Sequence, residues 1–377
     1  MAAGLRVGID GGCWANRRGY GRFLREILKA AAQDGSVGYT LFLDRPAPGE
    51  FPLPAGVRAV EARTSAAVND AAHAGGRRSI GDVLRMSAAV WREELDVFFF
   101  PSVYSYFPLP RRLPVLLGIH DTLPERMPEL AFDSRRQQRN WNWKMRLALK
   151  QATRVLTVSE YSRAAIARDL GWPAARTEVI YQAAHPGYRP TTEKGGYVLH
   201  VGGISPNKNL ARLVRAFGQV RGAAPGLRLV LAGDYESDGF KSSYEELRAL
   251  IGGLGLEGVV EFAGYVAESE LPGLYAGAAA LAFPSLEEGF GLPAVEAMAC
   301  GTPVVAARGH ALEEVVGGAG VLVDPRSEEE LAAALRRVVT DRTLAAELRE
   351  KSLRRAAEFS WARGGARLVE ILKGLKR

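Results

Sequence analysis

Two cysteines in 377 residues, Cys13 and Cys300, are too few for a disulfide framework or a thiolate metal cluster. No apolar run reaches the roughly 18 residues that read as a membrane span. Residues 1–12, MAAGLRVGIDGG, enter a strand pattern directly and lack the apolar core of a secretory leader, so a cytoplasmic location is expected. What is present is globular: 47% hydrophobic and 24% charged residues, in a chain too long for one ordinary core and suited to two domains. The net charge of +7 favours phosphate-bearing ligands, lipid phosphates or an acidic membrane face, with generic basicity as the plainer account.

The most informative stretch is 282–307, AFPSLEEGFGLPAVEAMACGTPVVAA. Residues 278–283 form a short apolar run ended by Pro284, as a buried strand would be. The loop 285–291 carries two acids and two glycines, which let a backbone approach a ligand closely. Residues 292–299 read as a helix with Pro293 tolerated in its first turn and Gly301 near its end. Val304, Val305 and Ala306 start another strand. Glu288 on the loop and Glu296 on the helix are separated by seven residues. The helix N-terminus between them presents unpaired N–H groups and partial positive charge. One side of this unit therefore has a place for a polyol at Glu288, an anion at the backbone and a diol at Glu296. That is the shape of a nucleotide-sugar: hexose, diphosphate, ribose.

The string EGFGLPAVEAMACGTPVV resembles the Glu-x7-Glu signature of glycosyltransferase family 4, the retaining transferases of GT-B fold, and further matches follow along almost the whole chain. The resemblance implies an α/β fold of two Rossmann-like domains facing an interdomain cleft. Residues 1–185 are expected to form the acceptor domain, with a terminal helix near 360–377 packing back on it. Residues 196–359 are expected to form the donor domain, after a linker over 182–196. The alternation of strand and helix in both halves agrees with this architecture.

In the first half, LRVGID (5–10) reads as a strand, followed by a glycine-rich loop to Gly19, Tyr20 and Gly21. A helix then follows, with Phe23, Leu24, Ile27 and Leu28 at helical spacing. It is not a GxGxxG fingerprint, so dinucleotide binding is disfavoured. By resemblance Gly19 and Gly21 face the cleft near the donor phosphate; the plainer reading is a tight turn that packs the first helix. Further strands are expected at 39–43, 57–60 and 96–100, a helix over 79–94, and a mobile loop or weak helix over 64–78. LPVLLGIHDT (113–122) ends at His120 and Asp121, at the strand end where open parallel sheets bind ligands. The resemblance puts His120 beside the donor sugar, with Asp121 orienting it. Residues 132–152 combine Arg135, Arg136, Arg139, Lys144, Arg146 and Lys150 with Trp141 and Trp143. They fit an amphipathic helix on an anionic membrane. The preferred reading is an ordinary helix whose Trp and Leu side chains pack inward while its cations are solvated.

In the second half, a strand at 197–201 leads into GGISPNKN (202–209), with Lys208 at a helix start where the glycine loop leaves room for phosphate. The resemblance makes Lys208 the diphosphate lysine, with Gly203 and Asn207 lining the donor. Many family members carry Arg where Gly203 stands, so phosphate neutralisation here rests on Lys208 and backbone amides, or on an Arg from elsewhere. Tyr265 and Val266 would border the nucleobase. Glu288 and the amides of Gly289, Phe290 and Gly291 would bind sugar hydroxyls, Leu292 opens the helix, and Glu296 would take the ribose. Helices are also expected over 240–252 and 268–276.

The implied activity is retaining transfer of a hexose from a nucleoside-diphosphate sugar to a hydroxyl of a glycan or lipid-linked acceptor, with His120, Glu288 and Lys208 as the catalytic set. GDP-mannose is preferred over UDP-glucose as donor. No second carboxylate is placed for double displacement, so same-face attack by the acceptor is expected. No DxD motif is present, so no metal is expected; no cofactor is implied either, the nucleotide-sugar being a substrate. Nucleic acid is not an expected partner; peripheral contact with the anionic inner membrane face stands only as the alternative to an ordinary solvated helix over 132–152. Two other readings stand beside this one. The first is another GT-B enzyme, a phosphorylase or a nucleotide-sugar epimerase. The second is a non-catalytic nucleotide-sugar-binding subunit.

Overall fold

The computed structural model describes residues 4–17, 19–65, 79–109, 113–191, 195–235 and 242–376. The chain divides into two units, residues 1–182 with 361–377, and residues 183–360. In the first unit, β1 (Leu5–Asp10), β2 (Val37–Leu43), β3 (Val57–Glu61), β4 (Val97–Phe100), β5 (Val115–Gly118), β6 (Arg154–Thr157) and β7 (Thr177–Val179) form one parallel sheet. Its order is β3-β2-β1-β4-β5-β6-β7, which reverses direction between β1 and β4. Strands such as VFFF and VLLG are apolar at every position because both faces of the sheet are covered.

The first helix, Gly19–Ala31, turns Phe23, Leu24, Ile27 and Leu28 inward. The last helix, Trp361–Leu375, lies along it. Gly365 allows that contact, since a Cβ there would sit 2.7 Å from Ala30. On the other side of the core, helix Ile80–Trp91 begins at Ser79, whose hydroxyl accepts from the Asp82 N–H at 3.0 Å. Helix Arg135–Gln151 docks through Trp141, Met145 and Ala148. Trp143 instead is 60% exposed and Leu147 is exposed beside it. The expectation that the tryptophans of this helix pack inward thus applies to Trp141 alone. At about 100° per residue, Trp143 stands roughly 200° round the helix from Trp141. The expected loop or weak helix at 64–78 falls largely on residues 66–78, outside the described residues.

The second unit repeats the plan. Strands β8 (Tyr197–Val201), β9 (Arg228–Ala232), β10 (Val260–Gly264), β11 (Ala280–Phe283), β12 (Val304–Ala307) and β13 (Val321–Val323) are parallel, in the order β10-β9-β8-β11-β12-β13. The reversal here lies between β8 and β11. Leu213 and Phe217 of helix Leu210–Val220 and Leu331 and Leu335 of helix Glu328–Thr340 pack in the core cluster with Leu229 and Leu231 of the sheet. Two helices start later than expected. One spans Tyr244–Gly253, with residues 236–241 outside the described residues. The other spans Leu271–Gly277, with Pro272 in its opening turn. Among the described residues no helix is long and apolar enough to cross a membrane.

Candidate functional site

At the carboxyl edge of the second sheet, the loops after β8 and β11 lie together where the strand order reverses, the position at which such sheets bind ligands. Residues Pro206–Lys208 form a single tight turn, and Asn209 then adopts a left-handed φ of 58°. Helix Leu210–Val220 follows, so Lys208 stands just before the helix rather than in its first turn. Asparagine is one of the few residues that enter this conformation readily. The Asn209 side chain acts as a clasp. Its Nδ2 donates to the carbonyls of Pro284 at 3.1 Å and Pro325 at 2.6 Å, and its Oδ1 accepts from Arg212 at 2.9 Å. The Leu286 N–H donates to the Asn207 carbonyl at 2.8 Å. Held in this way, Lys208 Nζ meets Glu288 Oε1 at 2.5 Å, with both side chains mostly covered. Burial alone would raise the Glu288 carboxyl. The Lys208 ammonium outweighs it and leaves the carboxyl below its usual range.

The glycines around this pair set how closely backbone segments approach. A Cβ on Gly233 would lie 1.7 Å from the Gly202 carbonyl oxygen. Gly291, with φ 94°, begins helix Leu292–Ala299, and a Cβ there would meet Leu312 at 2.2 Å. Phe290 packs edge-on against Phe359, and Leu292 is buried, so these two side chains belong to the core. Glu296 is 1% exposed, and its Oε2 accepts from the hydroxyl of the fully buried Tyr275 at 2.8 Å. Tyr265 is exposed just past β10, with Val266 beyond it, while Gly203 and Asn207 are half-buried in the loop that carries Lys208. The Asn207 side chain turns to the Ser205 hydroxyl, which donates to its Oδ1 at 2.7 Å.

In the first unit, His120 follows β5 with its ring 4.7 Å from both Tyr20 and Phe23. Burial, opposed by a bond to the Pro101 carbonyl, lowers its pKa to about 3, so the imidazole is neutral; among the described residues Nε2 has no partner. Asp121 accepts from the Tyr20 hydroxyl and the Leu123 N–H, each at 3.1 Å. A second titratable group stands nearby in sequence. The Glu125 Oε1 accepts from Trp141 Nε1 at 2.6 Å, and its buried Oε2 has no partner among the described residues. Burial, aided by the charge of Asp121 and opposed by the Trp141 bond, raises Glu125 to about 7. A Cβ on Gly19 would meet nothing within 4 Å among the described residues, whereas one on Gly21 would lie 1.9 Å from the Asn16 carbonyl oxygen. Close packing of turn on helix therefore suffices to require glycine at position 21.

The geometry brings Lys208 and Glu288 together and pairs Glu296 with Tyr275. Asn209, Tyr275, Glu125 and also His200 of β8, whose Nδ1 lies 3.0 Å from the Ala282 carbonyl oxygen, were not among the residues singled out from sequence. The signals they left were weak: a histidine in an apolar strand, an Asn after Pro-Asn-Lys, a tyrosine in a short helix, a glutamate past a strand end.

Comparisons with known proteins cover the whole of this framework. Residues 187–355 match the model described as glycosyl transferases group 1, and residues 17–186 match the one described as glycosyltransferase family 4. An O-antigen chain mannosyltransferase B of Escherichia coli is 32% identical over 296 residues, covering 74% of each chain. The O-antigen chain mannosyltransferase RfbU of Salmonella typhimurium is 29% identical, covering 59% of this chain and 60% of its own. Among solved structures, a sucrose-phosphate synthase from Thermosynechococcus elongatus superposes with a TM-score of 0.78 at 20% identity, covering 98% of this chain and 99% of its own. Anabaena HepE, solved with UDP and glucose, superposes with a TM-score of 0.74 at 24% identity, covering 98% of this chain and all of its own. Both show the shared GT-B fold. With two family descriptions that meet end to end at residues 186 and 187, and a relative similar across three quarters of both chains, this chain belongs to the group 1, family 4 glycosyltransferases.

Proposed function

We propose that the protein moves a hexose, with retention of configuration, from a nucleoside-diphosphate sugar to a hydroxyl of a glycan or lipid-linked acceptor, and that the donor is GDP-mannose, with UDP-glucose next. The observation that carries this reading is the covered Lys208–Glu288 pair at the strand-order reversal of the second unit. It supports the reading because it holds together one cation and one carboxylate, the charges suited to a diphosphate and a polyol. In this reading Lys208 takes the charge that grows on the departing diphosphate as the bond from sugar C1 to its oxygen breaks. Such preorganised stabilisation is commonly the largest catalytic contribution. The acceptor oxygen bonds to C1 on the same face, and its proton passes to the leaving diphosphate oxygen. Glu288 accepts from sugar hydroxyls, the main chain at Gly289, Phe290 and Gly291 supports them, and Glu296, already oriented by Tyr275, accepts from the ribose. Tyr265 and Val266 border the base. His120 is assigned to the transfer step as a neutral hydrogen-bonding group. The preference for mannose is supported by the names of the two O-antigen relatives. The lipid-linked acceptor is favoured by the outward Trp143 and Leu147 among the cations of helix Arg135–Gln151.

The test is thermal-shift and donor-hydrolysis screening with GDP-mannose, UDP-glucose, UDP-N-acetylglucosamine and ADP-glucose, each with and without EDTA. A donor at a hundredfold excess over its Kd stabilises the protein by about 2.7 kcal/mol. GDP-mannose is expected to raise the melting temperature and be slowly hydrolysed even in EDTA. Lys208→Ala and Glu296→Ala should each lose most of that shift, and His120→Ala should keep it while hydrolysis falls. A Glu296→Ala variant with full donor affinity would remove the ribose assignment. Failure of every donor to bind would overturn the reading.

A further inference from the structure

His200, in β8, is fully buried beneath the Lys208–Glu288 pair's loop, and its chemistry is set by what surrounds it. Its Nδ1 lies 3.0 Å from the Ala282 carbonyl oxygen, which can only accept, so Nδ1 carries the proton and Nε2 is a bare lone pair. That buried Nε2 has no hydrogen-bond partner among the described residues. Its surroundings are marked by Gly202: a Cβ built there would sit 3.3 Å from His200 Nε2 and 3.4 Å from Lys208 Cε, so lone pair and lysine flank one point. Phe283 backs them both. Its ring stacks on His200 at 5.7 Å, and Lys208 Nζ stands 5.4 Å from its centroid. Burial, with help from the Lys208 charge, lowers His200 to about 4, so the lone pair persists at neutral pH. A buried acceptor without a donor is costly and calls for an explanation. The flexible donor beside it is the Lys208 ammonium, which has three N–H bonds and gives one to Glu288.

We propose that His200 is a positioning residue for Lys208: its Nε2 lone pair receives the ammonium when a diphosphate binds and Glu288 turns to the hydroxyls of the donor sugar. The lysine then keeps a buried anchor while its remaining N–H groups meet the phosphate. This rests on the reading of Lys208 as the diphosphate lysine.

The test is a double-mutant cycle on the Kd for GDP and UDP, measured by calorimetry on the full chain. His200→Asn keeps an N–H for the Ala282 carbonyl and removes the lone pair. It is expected to weaken binding about tenfold, the scale of a hydrogen bond to a charged group. Lys208→Ala should weaken it at least as much, and the double variant no further than Lys208→Ala alone. Additive losses would mean that His200 merely packs the strand, and would overturn the proposal, as would a His200→Asn variant that binds normally. A second measurement needs no variant: in the wild-type chain the ¹⁵N resonance of His200 Nε2 should move upfield when the nucleotide saturates the site, and a stationary resonance overturns the proposal. If neither nucleotide binds the wild type, or Lys208→Ala binds as well as wild type, the diphosphate reading fails and takes the proposal with it.

Discussion

Glu125 shows how one carboxyl makes stability depend on pH. Its folded value of about 7 lies above its ordinary 4.5, so between those values the folded chain holds a proton that the unfolded chain has released. The stabilisation is complete below about pH 4.5 and is lost as pH rises through about 7. Glu125→Gln, neutral throughout, should therefore gain melting temperature relative to the wild-type chain as pH rises from about 5 to 8, the difference between the two curves isolating this one carboxyl. His120 and His200 act in the opposite sense. Their folded values, about 3 and about 4, lie below 6.5, so their contribution is present above 6.5 and is lost on acidification. Residues of this kind were hard to see in sequence for a physical reason. Asn209 is defined by carbonyls 75 and 116 positions away, and His200 by one 82 positions away. No local spacing records such a partner. Lys208 and Glu288 were legible because each sits in a motif whose neighbours, glycine, proline and acid, already describe a loop after a strand.

At the level of elements, the two strand-order reversals do the positioning, and the strands announced themselves. VFFF, VLLG and VVAA have no polar position, which only a sheet covered on both faces tolerates. Helix faces were less legible. Helix Arg135–Gln151 carries apolar residues on two sides, so composition alone could not say which side is the core. The close approach of the loops after β8 and β9 makes a sharp prediction. Gly233→Ala would force its methyl against the Gly202 carbonyl oxygen, a clash with backbone rather than with a flexible side chain. The second unit should lose about 1–3 kcal/mol or more in chemical denaturation, and nucleotide binding should weaken, because the same carbonyl belongs to the loop that carries Lys208. Gly222→Ala, with nothing among the described residues within 4 Å of the added methyl, is the control and should leave both measurements unchanged.

For the molecule as a whole, a net charge of +7 is unevenly spread: helix Arg135–Gln151 carries six cations and no acid. Cations ringing exposed Trp143 and Leu147 fit an anionic lipid surface, where each is worth about 1 kcal/mol. The protein should co-float with vesicles containing phosphatidylglycerol and not with pure phosphatidylcholine, and release as salt is raised. Trp143→Ser with Leu147→Ser should weaken the association without changing the melting temperature, because neither side chain is in the core. Absence of co-flotation at low salt would reject membrane contact.

The pairing of the first helix with the last has a consequence for how the chain is made. Helix Gly19–Ala31 is covered by a segment that begins only at residue 361, after the whole of residues 183–360. At ribosomal rates of about 5–20 residues per second, a nascent first unit waits on the order of ten to forty seconds with that flank bare. During that interval the second unit, continuous in sequence, is free to fold to completion, while the unit begun first is finished last.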